Sequence, residues 1–123
     1  MRYLVLTDLH ANLHALDAVL ADARSIGYDQ VLVLGDLVGY GGDPGSVIDR
    51  TLELKPVALI RGNHDKVAAG LEPATLFNEV ARRSIEWTAS VLTPGQVKTL
   101  VDLPKGPMRV TNDLEICHGT PFD

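Results

Sequence analysis

The chain has 123 residues, 46% hydrophobic and 22% charged, with sixteen acidic against eleven basic side chains and a net charge of −5. That length holds one domain, residues 1–123, and the composition is that of a folded globular protein rather than a disordered one. No apolar run approaches the roughly 20 residues that cross a bilayer, and the acid excess argues against a general nucleic-acid or membrane-surface binder, whose footprint is basic.

Arg2 to Thr7 (RYLVLT) reads as a strand buried on both faces. A helix follows, with Leu13, Leu16, Val19 and Leu20 on one face, Asn12 as its N-cap and Gly27 as its stop. Val31 to Leu34 is a second buried strand and leads into a glycine-dense loop, Gly35 to Gly42. Asp43-Pro44 opens the next helix with an N-cap and a proline at the first helical position, and Leu54-Lys55-Pro56 ends it. Val57 to Ile60 is a third strand, so the first half predicts a parallel βαβαβ unit with right-handed crossovers. Phe77 to Leu92 has helical periodicity through Val80, Ala81, Ile85 and Val91, with Trp87 as an anchor on that face. Thr93-Pro94 starts a further helix to about Leu103. Met108–Thr111 and Leu114–His118, separated by Asn112-Asp113, form a terminal hairpin.

The polar residues that carry chemistry stand where these strands end. Asp8 and His10 follow the first strand, Asp36 the second, and Asn63, His64 and Asp65 the third, while His118 closes the last. Ligands of open α/β sheets bind at the carboxyl ends of the strands, so these residues can converge on one cleft. Singly, each has a structural reading as a polar turn, loop cap or turn former. Four strand ends each delivering Asp, His or Asn favour a site. Carboxylates, imidazoles and an amide without thiolates suit Mn, Fe or Zn, with Ni or Mg as further options. Two such cations about 3.5–4 Å apart, bridged by a carboxylate such as Asp36, would clamp a phosphoryl oxygen and generate a hydroxide nucleophile.

Asp8-Leu9-His10, Gly35-Asp36, Gly62-Asn63-His64-Asp65 and His118-Gly119 resemble, in order, the D-x-H, G-D, G-N-H-[DE] and H-G motifs of calcineurin-like metallophosphoesterases. GDLVGYGGDP and HGTPFD are similar to a bacterial phosphodiesterase-like group of that family. The resemblance implies a layered α/β domain of αββα type and hydrolysis of phosphate mono- or diesters at a dinuclear metal centre. It implies Asp8, His10 and Asp36 as ligands of one metal, with Asp36 bridging to a second metal held also by Asn63 and His118. His64 would contact the phosphate and protonate or stabilise the leaving oxygen. Asp65 is implied as a partner behind the ligands, the alternative being a carboxylate at a helix N-terminus, and Arg61 as a phosphate contact.

The family's final G-H-x-H motif has no counterpart, since the histidines are His10, His14, His64 and His118. The resemblance therefore implies a C-terminally incomplete domain with three ligands per metal. The Met108–His118 region would then keep an open edge where a second copy or a complementing chain could dock. A metal-binding fragment without turnover is the alternative function. A receiver-like signalling domain is a remoter one, because it needs an acidic pair after the first strand and a lysine after the last.

Other residues read as structural. His14 is a helix-surface histidine, Cys117 a small core residue, and the Gly39-Tyr40-Gly41 glycines let backbone pass close to a metal site. One cysteine cannot build a disulfide framework, and MRYLVLTDLH turns polar too soon for a signal peptide; both point to the cytoplasm.

Overall fold

The expected apolar runs pair in parallel in the computed structural model, which describes residues 1–122; Asp123, the end of HGTPFD, lies outside them. β1 (Tyr3–Leu6), β2 (Gln30–Val33) and β3 (Ala58–Leu59) form a sheet in the order β1-β2-β3, with Leu4 opposite Val31 and Leu32 opposite Ala58. The crossovers are α1 (Leu13–Ile26) and α2 (Pro44–Glu53). Asn12 caps α1 by accepting from the Ala15 N–H at 3.0 Å. Asp43 precedes α2 without a side-chain cap bond; its own N–H is instead bonded to Ala11 O at 3.0 Å, tying the helix start to the loop after β1.

After β3 come a short helix α3 (Asn63–Ala68), a 3₁₀ turn at Ala74–Leu76, and helices α4 (Glu79–Val91) and α5 (Pro94–Asp102). A capping box between Thr93 and Gln96 starts α5. β4 (Met108–Thr111) and β5 (Leu114–Ile116) close the chain as an antiparallel hairpin.

β2 organises the layers because alternate residues of a strand face opposite sides. Val31 and Val33 point to the helices, where they join Leu16, Leu20, Val47, Ile48, Ile85 and Leu100 in the main core. Leu32 points the other way and packs with Ala58, Ile60 and Ile116 under the hairpin. The order is helix layer, parallel sheet, hairpin layer, consistent with the α/β, αββα-type expectation among the described residues.

Several expectations need correction. β1 is an edge strand rather than one buried on both faces, so Val5 is 53% exposed and Val19, on the neighbouring helix, 46%. α4 buries Ala81, Ile85 and Thr88, while Val80, Trp87 and Val91 face outward; its contacts with α3 select a narrower stripe than its apolar residues offer. β5 stops at Ile116 because His118 turns toward the parallel sheet, and Cys117 is half-buried rather than core. No described helix is long and apolar enough to cross a membrane.

Candidate metal centre

The loops after β1 and β2 are laced together by backbone. Asp8 N–H donates to Gly35 O at 3.0 Å, His10 N–H to Asp36 O at 2.9 Å, and Ala11 N–H to Leu37 O at 2.8 Å. This lacing holds Asp8, His10 and Asp36 in left-handed backbone, at φ 54°, 46° and 56°. Such conformations are uncommon outside glycine and concentrate at functional sites. Gly62 lies so close that a Cβ there would collide with the Asp36 carboxylate, so only glycine fits.

The side chains then converge on Asp36, which is 3% exposed. His10 Nε2 lies 3.6 Å and His118 Nε2 3.5 Å from the same Asp36 Oδ2, and His10 Nε2 is also 3.7 Å from Asp8 Oδ1. Both rings are fixed from behind: Nδ1 of His10 donates to Val38 O at 2.9 Å and Nδ1 of His118 to Leu34 O at 2.7 Å. A carbonyl only accepts, so each Nδ1 carries the proton and each Nε2 presents a lone pair to the centre. Asn63 Oδ1 is 3.3 Å from His118 Nε2.

Two groups of possible ligands result, with ligand atoms within 4.8 Å of one another: Asp8, Asp36 and His118, and His10, Asp36 and His64. Carboxylate oxygens, imidazole lone pairs and an amide oxygen aim at one place, and every one of them is an acceptor. A divalent cation satisfies that set. Turned over, the Asn63 amide donates to both Asp36 oxygens at 3.2 Å and to His118 Nε2 at 3.3 Å.

Asp65 stands behind Asp36, near the start of α3. Its buried carboxylate accepts from the Gly62 N–H at 2.9 Å, at the start of α3, and from the Asp36 and Val38 N–H groups at 2.8 and 3.2 Å. It therefore fixes the backbone that carries Asp36. Burial raises its pKa from 3.8 to about 6, the three N–H donors opposing. His64 N–H donates to Asp36 Oδ1 at 3.0 Å, and its ring sits among His10, Tyr40 and Phe77, with centroids 4.9, 5.0 and 4.6 Å away. Burial lowers the His64 pKa against the opposing pull of Asp36, and its Nδ1 is enclosed without a hydrogen-bond partner beside Gly39.

Arg61 stands apart from the carboxylates, in a cleft of about 390 Å³ bordered by Asn63 and His118. On the other side, Asp8, His10 and Tyr40 border an open apolar cleft of about 730 Å³. Tyr40 is the site residue that sequence reasoning passed over. Its ring packs edge-on against His10 at 5.1 Å, and its N–H donates to Ser84 Oγ at 2.5 Å. Its place in the glycine loop after Asp36 was the available signal. His14 is exposed on α1, away from the centre, as expected.

The chain is similar to several known proteins. A metallophosphoesterase from Sphaerobacter thermophilus is 37% identical, with a TM-score of 0.72, over 89% of this chain and 44% of that one. A hypothetical protein from Pyrococcus horikoshii OT3, 24% identical, shares the fold with a TM-score of 0.69 over 82% of this chain and 47% of that one. An uncharacterized protein of Methanocaldococcus jannaschii is 37% identical over 100 residues, which are 81% of this chain and 41% of that protein. The chain thus spans less than half the length of each of these relatives. The sequence pattern of the calcineurin-like phosphoesterases matches residues 1–121, and the chain belongs to that family.

Proposed function

We propose that the chain carries the centre of a metal-dependent phosphoesterase that hydrolyses phosphate mono- or diesters with two divalent ions. The observation that supports it best is the shared Asp36 Oδ2, faced by His10 Nε2 at 3.6 Å and by His118 Nε2 at 3.5 Å. One carboxylate common to two donor sets is the chemistry of a bridging ligand. By the resemblance, Asp8, His10 and Asp36 would hold one ion and Asp36, Asn63 and His118 the other, whereas the distances group Asp8 with His118 and His10 with His64 around the same Asp36; Mn, Fe or Zn suit these donors. Bound there, the ions would supply Lewis-acid polarisation of the phosphate and a nucleophilic water at neutral pH.

The chain's own residues do the rest. Val38 O and Leu34 O orient the two imidazoles, and Asp65 holds the Asp36 backbone against them. His64 has Nδ1 shut in, so Nε2 is the nitrogen that can meet a bound ester and give a proton to the leaving oxygen. The substrate is a small phosphoester or nucleotide; the net charge of −5 and single cysteine support a cytoplasmic protein without stable nucleic-acid or membrane binding.

Hydrolysis of bis(p-nitrophenyl) phosphate and p-nitrophenyl phosphate by the folded chain with added Mn tests this reading. Metal-dependent release of p-nitrophenol is the expected result. Metal binding without release from either ester would favour the second reading, a metal-binding fragment that needs a further chain, since each set has three donors among the described residues.

A further inference from the structure

On the His118 side of the centre the charge changes sign. Arg61, Lys66 and Lys105 line the cleft of about 390 Å³ with Asn63, His118 and Glu72, in a chain whose net charge is −5. The three cations come from the end of β3, from α3 and from the loop after α5. The Arg61 N–H donates to Pro104 O at 2.8 Å, which fastens the third segment beside the first. Lys66 is balanced by Glu72, its Nζ being 3.6 Å from the carboxylate. Among the described residues neither Arg61 nor Lys105 has a carboxylate oxygen within 4.0 Å, which is equally true of Arg2, Arg24, Lys55, Arg82 and Arg109; what sets this pair apart is that both line one cleft beside the centre. Arg61 is half-buried and Lys105 exposed, and both stand in the cleft without a carboxylate beside them, a partner that an anionic ligand can supply.

We infer that this cleft is a subsite for a second phosphoryl group, so that the esters favoured carry one phosphate beyond the phosphate at the metal centre. The inference rests on the phosphoesterase reading and narrows its substrate class. The charges match: with Lys66 and Glu72 offsetting each other, Arg61 and Lys105 remain for a group of about −1.5 to −2. Their chemistries also complement each other. Arg offers a planar fork for two phosphate oxygens, and Lys a mobile point charge. Asn63 and His118 form the wall shared with the centre, so a molecule seated there can reach the cleft without leaving the site. The second phosphate can lie in a polyphosphate chain or on another carbon of the same molecule.

Calorimetry on the metal-free chain separates this subsite from the metal chemistry. The probes are ADP against AMP, and fructose 1,6-bisphosphate against fructose 6-phosphate. The subsite predicts that at least one doubly phosphorylated probe binds on the order of tenfold tighter than its monophosphate. A preference confined to ADP identifies a polyphosphate chain, and one confined to the bisphosphate identifies a separated phosphate. Arg61→Gln combined with Lys105→Gln should erase the preference, and Glu72→Gln, which frees Lys66, should enlarge it. Circular dichroism checks that each variant is folded. Equal binding of both members of each pair, no detectable binding of any probe, or a preference that survives the double substitution would overturn the inference. Ester hydrolysis and the manganese response, measured in parallel, judge the phosphoesterase reading separately.

Discussion

Asp36 is positioned by its neighbours more than by its own strand. Asp65 accepts from its N–H, Gly62 leaves room for its carboxylate, and His10 donates to its carbonyl. Replacing Asp65 with Asn puts an amide NH₂ among three backbone donors. We expect Asp65→Asn to lower stability by about 1–3 kcal/mol in a denaturant melt, and to weaken the manganese response in proportion to the loosening of Asp36. An unchanged melt would mean that the three bonds carry no weight. The Asp65 carboxyl also has a defined pH signature. Its folded pKa of about 6 lies above the unfolded value of 3.8, so the folded state binds this proton more tightly. Its contribution to stability is therefore full below about pH 4 and is lost as the pH rises through about 6. The carboxyl carbon shift of Asp65 in metal-free protein should titrate near pH 6; a midpoint near 4 would refute the burial argument. His64 separates two roles by substitution. His64→Asn should reduce ester hydrolysis on the order of 10²–10⁴-fold while the manganese response persists; loss of that response would place His64 among the ligands, a role its place beside His10 and Asp36 also permits.

At the scale of elements, local chemistry was legible wherever it sufficed to fix the structure. Asn12 before α1 and Thr93 before α5 announce their helices by side-chain caps, and both caps form. Thr93→Ala should cost about 1 kcal/mol, read in a thermal melt, and leave the manganese response intact because α5 contributes no donor to the centre. A variant that also lost the metal response would contradict that separation. The misses arise where tertiary contacts decide. α3 is only six residues long and begins inside the Gly62-Asn63-His64-Asp65 motif, so its periodicity was too short to read. Val80 and Trp87 carry helical spacing but lie off the stripe that α3 covers. β1 reads as a buried strand from composition, yet only β2 pairs with it among the described residues.

Across the whole molecule, β2 gives one face to the helices and the other to the hairpin, and its carboxyl end delivers Asp36 to the middle of the site. The centre was legible because its donors occupy short motifs at strand ends, each placed by a local turn. The basic cleft was not, because Arg61 and Lys105 meet only when the loop after α5 folds back to β3. In the proposed function these strand ends form one metal-binding unit around Asp36. Its most direct test is the melting temperature of the chain against added Mn or Zn, for wild type and Asp36→Asn. A saturable rise is expected in the wild type and is abolished in Asp36→Asn, since both donor sets lose their common ligand. No rise in the wild type, or an equal rise in the variant, would contradict the proposal.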